Sequence, residues 1–225
     1  MNGVRRCASC GAEAAAVFRA PAAEMAPDLD LRPGEPVRGT LAHWLQTCPG
    51  CGATAPDLAI LYGTTAAIIA SPAYRLVQGP DYALGFLRWA AVSEAAGDAR
   101  QAGEAFLQAA WAADDAGDAA NAIAWRRLAA AAWGEPDIFE IALRQIDALR
   151  RAGNFVAADA AAARLAAQRP DETTACILTY QRARIAARDD TRHLMSSALR
   201  PPAHMPHVAH GKLRGKGFFA RLFGR

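Results

Sequence analysis

Apolar positions are distributed unevenly along the chain. From Pro56 onward, runs of alanine and larger apolar residues alternate with polar ones at helical spacing, and the chain reads as helix after helix. Three junctions share one phrase: Ala96-Gly97-Asp98, Ala116-Gly117-Asp118 and Ala152-Gly153-Asn154. In each, the glycine can end one helix in the left-handed conformation while Asp or Asn caps the next. An alanine follows five residues after every glycine, at Ala102, Ala122 and Ala158, where two packed helices would approach most closely. Trp89, Trp111, Trp125 and Trp133, with Phe86, Phe106 and Phe139, fit either a core between alanine-faced helices or the lining of a concave groove. Cys176, in the apolar run Ala175-Cys176-Ile177-Leu178, is expected to be a buried small hydrophobe.

The glycines of the three junctions lie 20 and 36 residues apart, so there is no clean 34-residue period. Still, Ala102, Phe106 and Ala109 occupy the small-large-small places of a tetratricopeptide second helix, and Gly153, Ala158 and Pro170 keep that repeat's spacing. This favours a degenerate, alanine-rich tetratricopeptide-like array over an ordinary helical bundle. The apolar segment Leu58 to Ala70, 13 residues with two threonines, is too short to span a bilayer, which takes about 20 apolar residues. It is expected to form a buried helix.

The first 55 residues follow another pattern. Prolines and glycines at Pro21, Pro27, Pro33-Gly34 and Pro36 break up the stretch after the first cysteines. Val17-Phe18-Arg19 and Ala42-His43-Trp44-Leu45-Gln46 are expected as short strands, with Trp44 over a metal site. That site is drawn from Cys7, Cys10, Cys48 and Cys51, two C-x-x-C-G units separated by 37 residues. Two thiolates on one tight turn reach a single ion, and the glycine after each pair frees backbone N–H groups to face sulfur. Disulfides are disfavoured in a reducing cytosol, and a redox motif would need a single C-x-x-C between strand and helix. A zinc ribbon with one structural Zn2+ is the reading. Four thiolates leave no open coordination position for water or substrate. His43 is a weaker substitute ligand.

The chain thus divides into a zinc-ribbon module (1–55), an alanine-rich helical domain (56–199), a proline-interrupted linker (200–211) and a basic tail (212–225), giving a mainly α fold with short β hairpins at its start. Composition changes this picture at one point. The net charge of +3 hides a tail with seven Lys or Arg and no acid after residue 190, and a remainder at −4. The N-terminus has no apolar run suited to a secretory signal, so a cytoplasmic location is expected.

In the tail, Phe218, Phe219, Leu222 and Phe223 share one side of a helix wound at about 100° per residue, with Arg214, Arg221 and Arg225 clustered on another and Lys212 and Lys216 nearby. Such a segment suits an anionic membrane surface, a protein partner or the chain's own helices, and less well RNA. His204, His207 and His210 are read as part of a mobile polar linker. Asp114-Asp115 and Asp189-Asp190 are read as solvated surface, because adjacent helical positions point apart. No phosphate loop, dinucleotide fingerprint or H-E-x-x-H motif is present, and no nucleophile, base and orienter stand together.

The order C-x-x-C-G, a Pro-rich stretch with Asp28-Leu29-Asp30-Leu31-Arg32-Pro33, Trp44-Leu45-Gln46-Thr47-Cys48-Pro49-Gly50-Cys51-Gly52 and alanine-rich helices resembles an uncharacterised bacterial family that joins a zinc ribbon to tetratricopeptide-like helices. The resemblance covers about residues 1–190 and departs at Ala8, where proline would be more typical. It implies architecture and a bacterial cytoplasmic setting, but no activity. Lys216 to Gly224 is similar to the C-terminal membrane-targeting helix of division-site-selecting ATPases of the MinD type. The expected function is a non-enzymatic adaptor that binds an unknown protein partner through its array and reaches the inner membrane by its tail, with no small-molecule substrate. The alternative is a nucleic-acid-binding zinc ribbon, but residues 1–55 carry five Arg against five acids, and phosphate binding needs a basic face.

Overall fold

A computed structural model describes residues 5–199. The fold is mainly α: two small hairpins bearing the cysteines, then an array of packed antiparallel helices. The first hairpin pairs β1 (Arg5–Arg6) with β2 (Glu13–Ala14), and the second pairs β3 (Gln46–Thr47) with β4 (Thr54–Ala55). Strands of two residues hold little by their ladders alone. The expected strand at 17–19 does not form, and of that at 42–46 only Gln46 is strand, as the first residue of β3. Pairing stays next to each cysteine turn, and Arg38–His43 winds instead into a 3-10 helix whose end is closed by Trp44 N–H donating to Leu41 O.

Short helices α1 (Thr65–Ala70) and α2 (Pro72–Arg75) precede the long ones: α3 (Asp81–Ala95), α4 (Ala99–Asp115), α5 (Ala119–Trp133), α6 (Phe139–Arg151), α7 (Phe155–Ala167) and α8 (Glu172–Ala186), with α9 (Met195–Ala198) closing the described chain. The expected helix over Leu58–Ala70 is confined to its second half. An Asp57 carboxylate that accepts the Ala59 N–H turns the chain first, and Ile60 remains 75 % exposed.

The shared phrase at the junctions works as its chemistry dictates. Gly97, Gly117 and Gly153 have φ of 81°, 72° and 69°, which L side chains rarely adopt. Asp98, Asp118 and Asn154 then accept N–H bonds from Gln101, Asn121 and Ala157 at 2.9, 3.1 and 3.3 Å. Each aspartate has a second task. Its other oxygen takes a tyrosine hydroxyl, Tyr62 on Asp98 at 2.9 Å and Tyr82 on Asp118 at 2.7 Å, both pairs 36 residues apart. The two tyrosines also pack on Trp89 and Trp125. Cap, turn and aromatic contact therefore repeat as one unit. Ala102, Ala122 and Ala158 are buried at the close approaches. Gly103 is tighter still, because a Cβ there would enter the indole of Trp133.

Two apolar clusters make the core. One runs from Cys7, Cys48 and Leu58 through α3, α4 and α5, so the hairpins and the first helices share an interior. The other joins α6, α7, α8 and Met195 around Leu29, a residue from between the two cysteine pairs. The side chains of α6 are divided between them, Ile141 and Ala148 in the first, Leu143 and Ile146 in the second. Among the described residues no helix is long and apolar enough to cross a membrane.

Candidate metal centre

The two cysteine turns are built alike. Cys7 N–H donates to Ala12 O and Gly11 N–H to Cys7 O, both at 2.8 Å; Cys48 N–H donates to Ala53 O at 2.8 Å and Gly52 N–H to Cys48 O at 2.9 Å. Gly11 and Gly52 stand at φ of 74° and 75° to complete these knuckles. The loops face each other, and the four sulfurs lie within 4.8 Å of one another, with Cys10 to Cys48 at 3.5 Å and Cys7 to Cys51 at 3.8 Å. A tetrahedron of thiolates about 2.3 Å from a central ion has edges of about 3.8 Å, so one ion fits. Space on the protein side is fully used: a Cβ at Gly50 would stand 3.2 Å from the Cys10 sulfur.

Burial alone would push the Cys48 thiol up, but the N–H groups of Cys51 and Gly50 bring it down to about 7. Burial pushes the Cys51 thiol up to about 12. A shared cation is the simplest means of ionising all four together. Tyr74 of α2, which sequence reasoning missed, donates its hydroxyl to Gly52 O at 2.8 Å and seats the second knuckle on the helices. Ala8 N–H donates to Leu58 O at 2.8 Å and seats the first. His43 stacks on Phe18, with ring centres 5.6 Å apart, and is not among the clustered ligands. Trp44, expected over the metal, packs edge-on against Trp111 of α4 at 6.3 Å and donates its indole N–H to Thr40.

Between the knuckles the chain makes its deepest insertion. Residues 27–32 form an inserted turn between α4 and α6 on one side and the segment before α9 on the other: Asp28 makes a single antiparallel bridge with Leu194, and the chain then reverses, with Leu31 N–H donating to Asp28 O and Asp28 N–H to Arg32 O, both at 2.9 Å. Leu29 N–H donates to His193 O at 3.0 Å, and Met195 N–H donates to Pro27 O at 2.8 Å. Asp30 is fully buried; its carboxylate takes the indole N–H of Trp111 at 2.8 Å and faces Arg151 at 3.4 Å, and its carbonyl takes Arg144 Nε at 3.1 Å. Arg32, 1 % exposed, pairs with Asp115, and Arg126 and Arg151 hold Asp114 at 3.0 and 2.9 Å.

Three expectations are corrected here. Asp114 is not solvated surface: because neighbours on a helix point apart, it turns to Arg126 of α5 and Arg151 of α6, while Asp115 stays exposed as expected and pairs with Arg32 and Arg38 at the edge of the inserted turn. Asp189 likewise accepts from Thr191 and contacts His193 at 2.8 Å, leaving Asp190 exposed. Cys176 is exposed, because Ile177, Leu178, Gln181 and Ile185 take the buried stripe of α8.

Of the five tryptophans, the four on α3, α4 and α5 are buried, and Trp111 serves both as core and as a binding group for the inserted turn. The tail residues singled out above, Lys212 to Arg225, and the linker histidines lie outside the described residues. The chain matches no family model, no curated protein and no solved structure, so the cluster and the array define its architecture by their own geometry.

Proposed function

We propose that the protein is a non-enzymatic adaptor. One structural zinc ion would hold the two knuckles, a tetratricopeptide-like array would present its surface to a protein partner, and the basic aromatic tail would carry the assembly to an anionic membrane. The observation that carries the reading is the convergence of Cys7, Cys10, Cys48 and Cys51, since four thiolates saturate a tetrahedral ion and leave it a structural role.

The inserted turn refines which surface is meant. It lies over α4 and α6, so partner contact falls to faces it leaves open, including the end marked by exposed Ile60 and Leu76. Affinity capture from the native cells, with and without residues 212–225, tests the reading. A stoichiometric protein partner retained by both chains, with only the longer one sedimenting with membranes, is expected. Recovery of RNA or DNA with strongly salt-dependent affinity and no protein partner would replace the adaptor with a nucleic-acid binder.

A further inference from the structure

Among the described residues, α8 is the last long helix of the array. Inside the array the alanines at helix–helix contacts are covered by a neighbouring helix, as Ala158, Ala161 and Ala162 of α7 are. On the outer side of α8, Ala175, Cys176, Thr179, Tyr180 and Ala183 line an open groove of about 540 Å³, walled on one flank by Ala198 of α9. Cys176, Thr179 and Ala183 are exposed. Small side chains backed by a packed helix make a trough that suits large ones, and terminal faces of helical arrays are normally capped.

We propose that this groove is the docking site of the chain's own C-terminal segment, Gly217 to Phe223. Three observations select that occupant. The described chain ends at Leu199, next to the groove wall at Ala198, and 26 residues follow. The tail's apolar residues, Phe218, Phe219, Leu222 and Phe223, are large and fall on one helical side, the complement of a trough of alanine, threonine and cysteine. Charge agrees: Asp171 caps α8 and Glu172 lines the N-terminal end of the groove, and the segment carries Arg221, flanked by Arg214 and Arg225, with no acid anywhere in 212–225.

Reach is ample. Twelve linker residues extend to about 40 Å at 3.3 Å each, whereas a helix of 15 residues, the length of α8, is about 22 Å long. A tether of that length sets an effective concentration in the millimolar range, so a weak contact suffices to fill the groove.

Docking withholds from lipid the same phenylalanines that the adaptor reading assigns to the membrane. Groove and anionic surface then compete for one segment, and the anchor is released where lipid is plentiful. Docking stands without the membrane reading, but this competition rests on it.

Cys176 reports on the groove directly. In the zinc-loaded full chain, maleimide labelling of Cys176 should be at least about fivefold slower than in the full-length Phe219→Glu/Phe223→Glu chain, as expected for a tethered contact. Anionic vesicles should restore the fast rate, and neutral ones should not. An Ala183→Trp chain, filled at an exposed position that leaves the core intact, should label quickly and bind anionic vesicles more tightly than the parent. Equal labelling of parent and double variant overturns docking even if vesicles float both, as does protection that appears only as protein concentration rises, since that assigns the tail to a second copy. Protection that vesicles do not relieve upholds docking and removes the membrane reading alone.

Discussion

The carboxylate of Asp30 accepts the indole N–H of Trp111 at 2.8 Å across 81 residues of sequence, and both side chains are buried. This bond fixes the turn inserted between the knuckles to the middle of the array. Arg151 and Arg126 hold the Asp30 carboxyl below its usual range although burial opposes them.

Removing Asp30 would leave a buried indole N–H and an under-paired Arg151. Asp30→Ala should therefore cost about 3–5 kcal/mol, as breaking a buried charged network does. Trp111→Phe, which removes the donor and part of a buried ring, should cost about 1–3 kcal/mol for the lost bond and a further amount for the cavity it leaves. Because both changes cut one interaction, the double variant should lose less than the sum. Urea unfolding of the four chains measures all of this, and an Asp30→Ala chain within about 0.5 kcal/mol of the parent would mean that the inserted turn contributes nothing to the fold.

Metal removal should be felt far from the cysteines. Each hairpin has two-residue strands, so the thiolate cluster is the main restraint on the knuckles, and the knuckles are the ends of the loop that carries Leu29. Chelation should raise the exchange rates of the Leu29 and Met195 amides together, because each donates across the interface between inserted turn and C-terminal segment. The helical signal of α3 to α5 should persist. Unchanged protection at both amides after chelation would show that the inserted turn holds its place without the metal.

The parts readable in advance were those set by neighbours in sequence. Gly97 with Asp98, Gly117 with Asp118 and the two C-x-x-C-G turns each encode their own backbone, so spacing alone located them. The inserted turn was hidden for the opposite reason. Asp28-Leu29-Asp30-Leu31-Arg32 reads as a polar loop unless Trp111, Arg144 and Arg151 are known to converge on it, and those partners are 81 to 121 residues away. Asp114 was misread for the same cause, since Arg126 and Arg151 reach it from other helices. One long-range signal was present: Tyr62 precedes Asp98, and Tyr82 precedes Asp118, by the same 36 residues. Cys176 misled by its apolar neighbours, although the period of Ile177, Leu178, Gln181 and Ile185 already places it outside the buried stripe.

Acid should relieve one cost of the inserted turn, the burial of the Asp28 charge. Burial and the neighbouring Asp30 push the Asp28 carboxyl up to about 6, against the pull of Arg192 at 3.6 Å and Arg38 at 3.3 Å. In the unfolded chain an aspartate titrates near 3.9, about 2 pH units lower. The native state thus binds this proton more tightly. Its contribution is complete below about pH 4 and is lost as pH rises through about 6, a swing of about 3 kcal/mol at 1.36 kcal/mol per unit. Asp30, Asp114, Asp118, Asp171 and Asp189 are shifted the other way, so their contributions are lost as pH falls through the acidic range below the usual carboxylate value. The whole-protein profile mixes the two signs, and a difference between chains isolates one. Asp28→Asn, always neutral and nearly the same shape, should match the parent near pH 4 and exceed it by about 2–3 kcal/mol at pH 7 in urea unfolding. A difference that stays flat between those pH values would mean that Asp28 is not the group under strain.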